Sequence, residues 1–280
     1  MSPEDPHAAS APERATSDAQ SAASSDHPRP RPTAPTRPVT VGHRGASALA
    51  PENTLRAFAV GIEHGLDFAE LDVHLDRDGQ LVVIHDADLS RVAGRPPRVG
   101  DLTADELARI DVGDGEGVPR LADVFDLVRG RLGIYVELKG AGTGAALGRL
   151  VRSGATSAPA SVASPATPSA ASGVDIIAGS FVPALVDELR AVAPEVPRSV
   201  LFARTPLEEM IATCRRLDAT YAHPCFRPID REMIDALHAA GLLVMTPHTN
   251  DPAEARHFTS LGVDVIASDD PRILAPLKRP

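Results

Sequence analysis

Short apolar, β-branched runs alternate with amphipathic stretches along most of this 280-residue chain. Such alternation is typical of β-strands joined by crossover helices, which leave neighbouring strands parallel in one sheet. We predict strands at 39–43, 68–75, 81–85, 133–138, 174–179, 198–202, 219–222, 242–246 and 263–267. We predict helices at roughly 52–64, 121–130, 183–193, 206–217, 230–240, 251–260 and 271–277. The pattern therefore restricts the fold to the α/β class.

The second and third predicted strands are joined too closely for a crossover helix. Asp78-Gly79 lies between them, and an Asp-Gly pair between apolar runs indicates a β-hairpin. If these two residues form the turn, residue 75 pairs with 82, residue 73 pairs with 84, and His85 lies opposite Asp72. One strand of the hairpin then stands outside the parallel set.

Eight strands remain, the number that closes a TIM-type (β/α)8 barrel, with its active site at the carboxyl ends of the strands. An open doubly wound sheet is the alternative. The strand count and the lack of a glycine-rich dinucleotide loop favour the barrel. We expect a small, loop-rich insertion over its mouth between Gly94 and Val118.

Two segments are too poor in apolar residues to pack. Residues 1–38 are rich in Ala, Pro and Ser and contain no Val, Ile, Leu or Phe, which predicts a disordered tail. Residues 153–173 consist almost entirely of Ala, Ser, Thr, Pro and Gly, which predicts a low-complexity surface loop between a helix and a strand. The rest suits one barrel domain, residues 39–280.

Charge and hydropathy exclude several classes of protein. The formal net charge is −10, whereas nucleic-acid binders need an excess of Lys and Arg, so we expect no nucleic-acid partner. No apolar run approaches the ~20 residues that span a bilayer, so we expect no stable membrane insertion. The amino-terminal segment lacks the apolar stretch of a secretory signal, which predicts a cytoplasmic protein. Cys214 and Cys225 are too few for a disulfide framework, and nothing indicates an oligomeric state.

Glu70 and Asp72 are two residues apart on one predicted strand, and their side chains point to the same face. Two carboxylates about 7 Å apart form half of a site for a hard cation. An ordinary strand with one wet face would show the same alternation, but apolar runs flank this one. His74 continues the face as a pocket wall or as an ordinary hydrogen-bonded histidine.

Two other predicted strands end in charged residues. The first is followed by His43-Arg44-Gly45, which presents a titratable imidazole and a planar cation suited to phosphate. Another ends in Glu137-Leu138-Lys139, with its two charged side chains on one face. A strand-end salt bridge is the simpler explanation of that pair, but burial would be costly without a further partner, ligand or metal.

These residues belong to a series of motifs that resembles the glycerophosphodiester phosphodiesterases. The motifs follow in the family's order over about residues 39–275: His43-Arg44-Gly45, Pro51-Glu52-Asn53-Thr54, Glu70-Leu71-Asp72-Val73, Asp78-Gly79, Val83-Ile84-His85-Asp86, Glu137-Leu138-Lys139, Ser180-Phe181, Gly262-Val263-Asp264-Val265-Ile266 and Asp269-Asp270-Pro271. One such motif is weak evidence, but the ordered series is specific.

The resemblance implies a barrel enzyme that hydrolyses glycerophosphodiesters, small-molecule substrates, to glycerol 3-phosphate and an alcohol. It implies one divalent cation, Ca²⁺ or Mg²⁺. By the same resemblance, the residues with assigned roles are metal ligands Glu70, Asp72 and Glu137, acid–base catalysts His43 and His85, and phosphate-binding residues Arg44 and Lys139. Phosphodiester cleavage needs a proton acceptor, a proton donor and positive charge at phosphate, and these side chains supply all three.

Two further residues are candidates for substrate binding. Glu52 precedes an amphipathic helix that Asn53 or Thr54 can cap, and the resemblance places Glu52 near the site, against Arg44. Phe181 follows a strand and is either a wall for the substrate or a core residue.

The sequence departs from the family pattern where a Trp-Thr-x-Asn run is usual. Here the chain has no tryptophan and reads Thr246-Pro247-His248-Thr249-Asn250, so the group beyond the phosphate is expected to be smaller, more polar or differently placed than choline or ethanolamine.

Two alternative functions remain open from the sequence. A phospholipase D-type enzyme acting on intact or lyso-phospholipids shares the His and Glu-x-Asp arrangement. It is disfavoured because no apolar or basic interfacial segment is present. A non-catalytic module that binds a phosphate ligand would not require two histidines opposite three carboxylates.

Overall fold

The computed structural model describes residues 37–155 and 173–278. Its strands are β1 (Val39–Gly42), β2 (Phe68–Leu75), β3 (Leu81–Val83), β4 (Gly133–Leu138), β5 (Ile176–Ser180), β6 (Arg198–Phe202), β7 (Tyr221–Pro224), β8 (Leu243–Val244) and β9 (Val265–Ser268). Its α-helices are α1 (Leu55–Glu63), α2 (Ser90–Ala93), α3 (Ala104–Leu107), α4 (Leu121–Val128), α5 (Thr143–Leu150), α6 (Pro183–Val192), α7 (Leu207–Arg216), α8 (Arg231–Ala239), α9 (Pro252–Leu261) and α10 (Pro271–Leu274). Short 3₁₀ turns cover Val99–Asp101 and Ala275–Lys278.

Eight parallel strands form a barrel. Their order is β8-β7-β6-β5-β4-β2-β1-β9, and β3 lies off this path and pairs with β2. The two ends of this order meet at a parallel bridge between Met245 and Val265, and the N–H of Asp264 donates to the carbonyl of Val244 at 3.0 Å. The predicted (β/α)8 barrel with one additional hairpin strand is thereby confirmed.

Alternation along the strands separates two apolar cores. In β4, Ile134, Val136 and Leu138 pack outward against the helices, whereas Tyr135 packs inside the barrel with residues of β1, β6 and β8. This is the two-residue period of a strand buried on both faces. Glu137 shares the inward face of Tyr135, and it therefore points into the barrel near the carboxyl end of its strand.

The hairpin is confirmed, but the expected register is wrong by one residue. Val73 pairs with Val83 and Leu75 with Leu81. The turn holds three residues, 77–79, instead of two, because Gly79 adopts φ +80° and the N–H of Gln80 donates to the Asp76 carboxylate at 2.7 Å. Ile84, and not His85, therefore donates its N–H to the carbonyl of Asp72, at 2.9 Å.

The insertion at 94–118 is present and forms a small core of its own. Val99, Leu107 and Val118 are buried against Val82 and Leu89, on the outside of the hairpin. Among the described residues, none from this segment lines the cavity at the barrel mouth, so the insertion supplies no wall of that cavity.

Helix α5 is the helix expected just before the low-complexity loop, but its bounds were not predicted, because its small residues Gly144, Ala146 and Gly148 give a weak amphipathic pattern. A Cβ at Gly144 would meet the carbonyl oxygen of Leu185 at 2.1 Å, so small residues here let α5 approach α6 closely. A π-helical turn, Val151–Ala155, follows and takes in the first three residues of the predicted loop. The predicted tail up to residue 36 and the loop over 156–172 lie outside the described residues.

Within the described ranges, no helix has both the length and the apolar character needed to cross a bilayer.

Candidate active site

Three carboxylates meet at the carboxyl end of the barrel. Glu70 and Asp72 lie on β2, and the parallel register of β2 and β4 places Glu137 beside Asp72. One carboxylate oxygen from each lies within 4.8 Å of the other two. All three residues are buried, which isolates their charges from water.

Two cations partly balance these charges. Nζ of Lys139 lies 2.5 Å from a Glu137 oxygen and 3.1 Å from an Asp72 oxygen, and Nε of Arg44 lies 3.6 Å from Asp72. Burial would raise the pKa of Asp72, but Lys139 and a hydrogen bond from Asn53 outweigh it and lower that pKa. Burial, joined by repulsion from Asp72, raises the pKa of Glu70. When all three carboxylates are ionised, they outnumber the two cations beside them, and the raised pKa of Glu70 reflects the cost of that arrangement.

Left-handed backbone at two residues directs groups towards the carboxylates. Arg44 has φ +51° and donates its N–H to Glu70 at 2.8 Å. Asn53 has φ +58°, and its side-chain amide donates to Asp72 at 2.9 Å. The expected helix cap is provided by Thr54, whose Oγ accepts from the N–H of Ala57, while Asn53 supports the acidic cluster.

His43 lies at the same rim with its ring held on both sides. Its Nδ1 lies 2.6 Å from Asp269, and its Nε2 lies 4.0 Å from Glu70. Burial lowers the pKa of His43, but the hydrogen bond with Asp269 and the charge of Glu70 outweigh it, so that pKa is raised. With Nδ1 engaged, Nε2 is the nitrogen that faces the cavity side of the site.

His85 has the corresponding arrangement across the cavity. Its Nδ1 lies 2.7 Å from the Asp86 carboxylate, and its own carbonyl accepts from Nε2 of His74 at 3.1 Å. His74 is therefore a hydrogen-bonded histidine that supports the backbone of His85. In both catalytic candidates, His43 and His85, one ring nitrogen contacts an aspartate carboxylate. Both side chains also line the same cavity.

Two residues contact His43 in ways that the sequence did not predict: Asp269 had no predicted role, and His248 was expected only as a change in the pocket wall. Asp269 accepts from His43 and also from Asn250, at 2.6 Å, and from Ser47, at 3.0 Å. His248 stacks on His43 with ring centroids 4.1 Å apart and planes 6° apart. Asp269 belonged to a recognised motif and followed a strand, which was the available signal, whereas nothing local indicated the stacking of His248.

Charged side chains form a network around the phosphate-binding candidates. Glu52 accepts from Arg44 at 2.9 Å and from two nitrogens of Arg91, and Arg91 also donates to Asp86 at 2.6 Å. Desolvation would raise the pKa of Glu52, but Arg91 and Arg44 outweigh it and lower that pKa. The contact of Glu52 is therefore with Arg44, and through Arg91 the network reaches the aspartate that holds His85.

A cavity of about 290 Å³ opens above these groups. Its floor is apolar and its inner wall carries His43, Arg44, Glu70, Glu137 and Lys139. Phe181 lines it with 44% of its surface exposed, so it is a wall residue and not part of the core.

The acidic cluster fits a hard divalent cation. Such ions take several oxygen ligands at about 2.0–2.6 Å, and the three carboxylates converge closely enough to share one. The donors are all oxygen, as Ca²⁺ and Mg²⁺ prefer, and the surplus negative charge agrees with a positively charged occupant.

A (β/α)8 barrel with paired imidazoles, phosphate-suited cations and clustered carboxylates at its mouth is the framework of a phosphoric ester hydrolase. Residues 43–273 match the model of the glycerophosphoryl diester phosphodiesterase family. The chain belongs to this family and is a phosphodiesterase of that class.

Individual relatives agree with this assignment. A putative glycerophosphodiester phosphodiesterase of Bacillus subtilis is 30% identical over 82% of this chain and 94% of its own length. A glycerophosphodiester phosphodiesterase of Caldanaerobacter subterraneus is 28% identical over 86% of this chain and 98% of its own length. The crystal structure of a putative glycerophosphoryl diester phosphodiesterase from Silicibacter pomeroyi superposes with a TM-score of 0.72 at 27% identity, covering 86% of this chain and 94% of that one.

Proposed function

We propose that this protein hydrolyses small glycerophosphodiesters to glycerol 3-phosphate and an alcohol, using one divalent cation and two histidines. The observation that carries the proposal is the convergence of Glu70, Asp72 and Glu137 with His43 and His85 around one cavity.

Glu70, Asp72 and Glu137 are the proposed cation ligands. When bound, the cation supplies Lewis-acid stabilisation of negative charge on the phosphoryl oxygens. Arg44 and Lys139 provide fixed positive charge beside the same carboxylates, suited to further non-bridging oxygens of the phosphate. Glu52 holds Arg44 in place, so its contribution to substrate binding acts through that guanidinium.

His43 and His85 move the protons. One imidazole removes a proton from the attacking water as its oxygen bonds to phosphorus, and the other donates a proton to the departing alkoxide as its bond to phosphorus breaks. Asp269 and Asp86 each fix a ring orientation, and Asp269 also stabilises the imidazolium form of His43. Imidazole is the side chain that most readily both accepts and donates a proton near neutral pH, which suits it to these two transfers.

Phe181 and the apolar floor shape the rest of the cavity. At about 290 Å³, it suits a small diester better than an intact phospholipid with two acyl chains.

The proposal is tested by incubating the full chain with several glycerophosphodiesters and Ca²⁺ or Mg²⁺, with glycerol 3-phosphate as the measured product. We expect turnover that EDTA abolishes and added cation restores. Both Glu70→Ala and His85→Ala should lower kcat at least ~100-fold.

A matched control is His64→Ala, since His64 lies just before β2, at the opposite end of the barrel. It should keep wild-type turnover. Full activity in the presence of EDTA, or near-wild-type turnover by His85→Ala, would contradict the proposal.

A further inference from the structure

The outer half of the active-site cavity differs in chemistry from the inner half. The inner half carries Glu70 and Glu137, two of the three carboxylates assigned to the cation. Beyond the phosphate-binding groups, the cavity is lined by Phe181, Cys225, Arg227, Pro247 and His248. Among the described residues that line this outer part, none carries a carboxylate. The carboxylates of Glu52 and Asp269 line an adjoining depression, but both are already engaged, by arginines and by His43 with Asn250 respectively. A cationic leaving group in the outer part therefore finds no unpaired carboxylate in its lining.

Arg227 is held with its guanidinium at this outer wall. Its Nε lies 2.5 Å from one oxygen of Glu254, and its Nη2 lies 2.8 Å from the other. Nη2 also donates to the carbonyl of His248 at 3.1 Å, and within 37–155 and 173–278 no protein acceptor is found for Nη1. A leaving group in the outer half therefore meets the guanidinium of Arg227. The carboxylate of Glu254, which pairs with that guanidinium, does not line the cavity.

Aromatic recognition of a quaternary ammonium is also weak here. Such recognition uses the faces of several aromatic rings. Two rings on this wall are exposed among the described residues, Phe181 and His248, and only Phe181 is a hydrocarbon ring. One face of His248 is already covered by His43, with the planes 6° apart, and Pro247 has no π-system.

On the proposed function, we infer that the site selects diesters whose leaving alcohol is a polyol, with hydroxyl oxygens that accept from Arg227, over diesters of choline or ethanolamine. The hydroxyls of a polyol can accept from Nη1 of Arg227 and bond with His248, whereas a cationic amino alcohol meets the guanidinium without a counter-charge.

The test compares kcat/KM of the full chain for four substrates with the same glycerol phosphate half. They are glycerophosphoglycerol, glycerophosphoinositol, glycerophosphocholine and the methyl ester of glycerol 3-phosphate. We expect the two polyol esters to exceed the choline ester at least about tenfold, as for a site that hydrogen-bonds a substrate hydroxyl.

Arg227→Gln removes the guanidinium and should reduce that preference to less than about threefold. The loss should depend on the leaving group, being large for the polyol esters and small for the methyl ester, which has no hydroxyl to place against Arg227. Arg190→Gln is the charge-matched control, since Arg190 pairs with Asp187 on the exposed side of α6 and lines no part of this cavity. It should keep the wild-type preference.

If the kcat/KM of the wild-type protein for glycerophosphocholine equals that for the polyol esters, the inference is overturned while the proposed function stays intact. A polyol preference that survives Arg227→Gln would overturn the assignment to Arg227. The wild-type comparison stands even if the variant folds poorly. If the protein cleaves none of the four esters, the methyl ester included, the proposed function itself is refuted.

Discussion

Asp269→Asn isolates the effect of one charge on His43. The carboxylate accepts from Nδ1 of His43 with one oxygen and from the amide of Asn250 with the other. An asparagine has the same shape but only one acceptor oxygen. If that oxygen faces His43, the new amide NH₂ faces the NH₂ of Asn250, and if it faces Asn250, the NH₂ faces Nδ1 and forces the proton onto Nε2. Either orientation weakens the histidine as a catalyst.

The size of the effect follows from the lost hydrogen bond. A hydrogen bond to a charged group contributes about 1.5–3 kcal/mol, and this one is short, at 2.6 Å, and half-buried. A loss of about 2–3 kcal/mol in the transition state corresponds to a kcat roughly 30- to 160-fold lower. Because Asp269 raises the pKa of His43, the limb of the pH–rate profile that reports His43 should also move to lower pH.

Steady-state assays across pH measure both quantities, with unfolding curves to confirm an intact fold. Asp270→Asn is the control, since Asp270 caps α10 and pairs with Arg272 without contacting a histidine. It should change kcat less than threefold. If Asp269→Asn also changes kcat less than threefold, or acts on KM alone, Asp269 does not orient His43 for catalysis.

Three further predictions concern the cation, the fold and acid stability. Glu137→Gln removes one ligand charge and should weaken activation by Ca²⁺ or Mg²⁺ at least about tenfold in titrations of activity; an unchanged half-saturating concentration would exclude Glu137 as a ligand. Arg198 is buried at the start of β6 and donates to carbonyls at the far end of the barrel, so Arg198→Met should lower the free energy of unfolding in urea by about 3 kcal/mol with little change in KM. Burial would raise the pKa of Asp67, but hydrogen bonds from Arg37 and Thr40 outweigh it and lower that pKa below its unfolded value. This stabilisation is complete above the unfolded pKa of about 4 and is lost as pH falls through the folded pKa. The difference in free energy of unfolding between the wild type and Asp67→Asn should therefore shrink below about pH 4. A difference that stays constant with pH would show that Asp67 is unpaired.

The barrel was predictable because its signal is local. Each strand is a short apolar run, and the observed strands begin and end within a few residues of the predicted ones, as at Val39–Gly42 and Phe68–Leu75. The register of the hairpin was not predictable, because it depended on whether the turn held two residues or three. That choice was decided by the left-handed Gly79 and the Asp76 carboxylate together.

The candidate site divides in the same way. Strand alternation predicted that Glu70 and Asp72 share a face, whereas Glu137 was joined to them only through the resemblance of motifs. The register of β2 and β4 that places Glu137 beside Asp72 could not be read from the sequence. The contact of His43 with Asp269 joins residues 226 positions apart, and the stack of His43 on His248 depends on how two loops meet. Neither contact follows from the spacing of residues along the chain.

Closure of the barrel and alignment of His43 depend on the same side chains. Between β8 and β9, Asn250 accepts from the hydroxyl of Ser268 and from the N–H of Asp269, at 3.0 Å each, while its amide donates to the carboxylate of Asp269. The strand pairing at this seam is a single bridge, Met245 to Val265. Widening the cylinder here would rotate the imidazole out of line, so amide hydrogen exchange along the seam and turnover should rise and fall together across variants of Asn250.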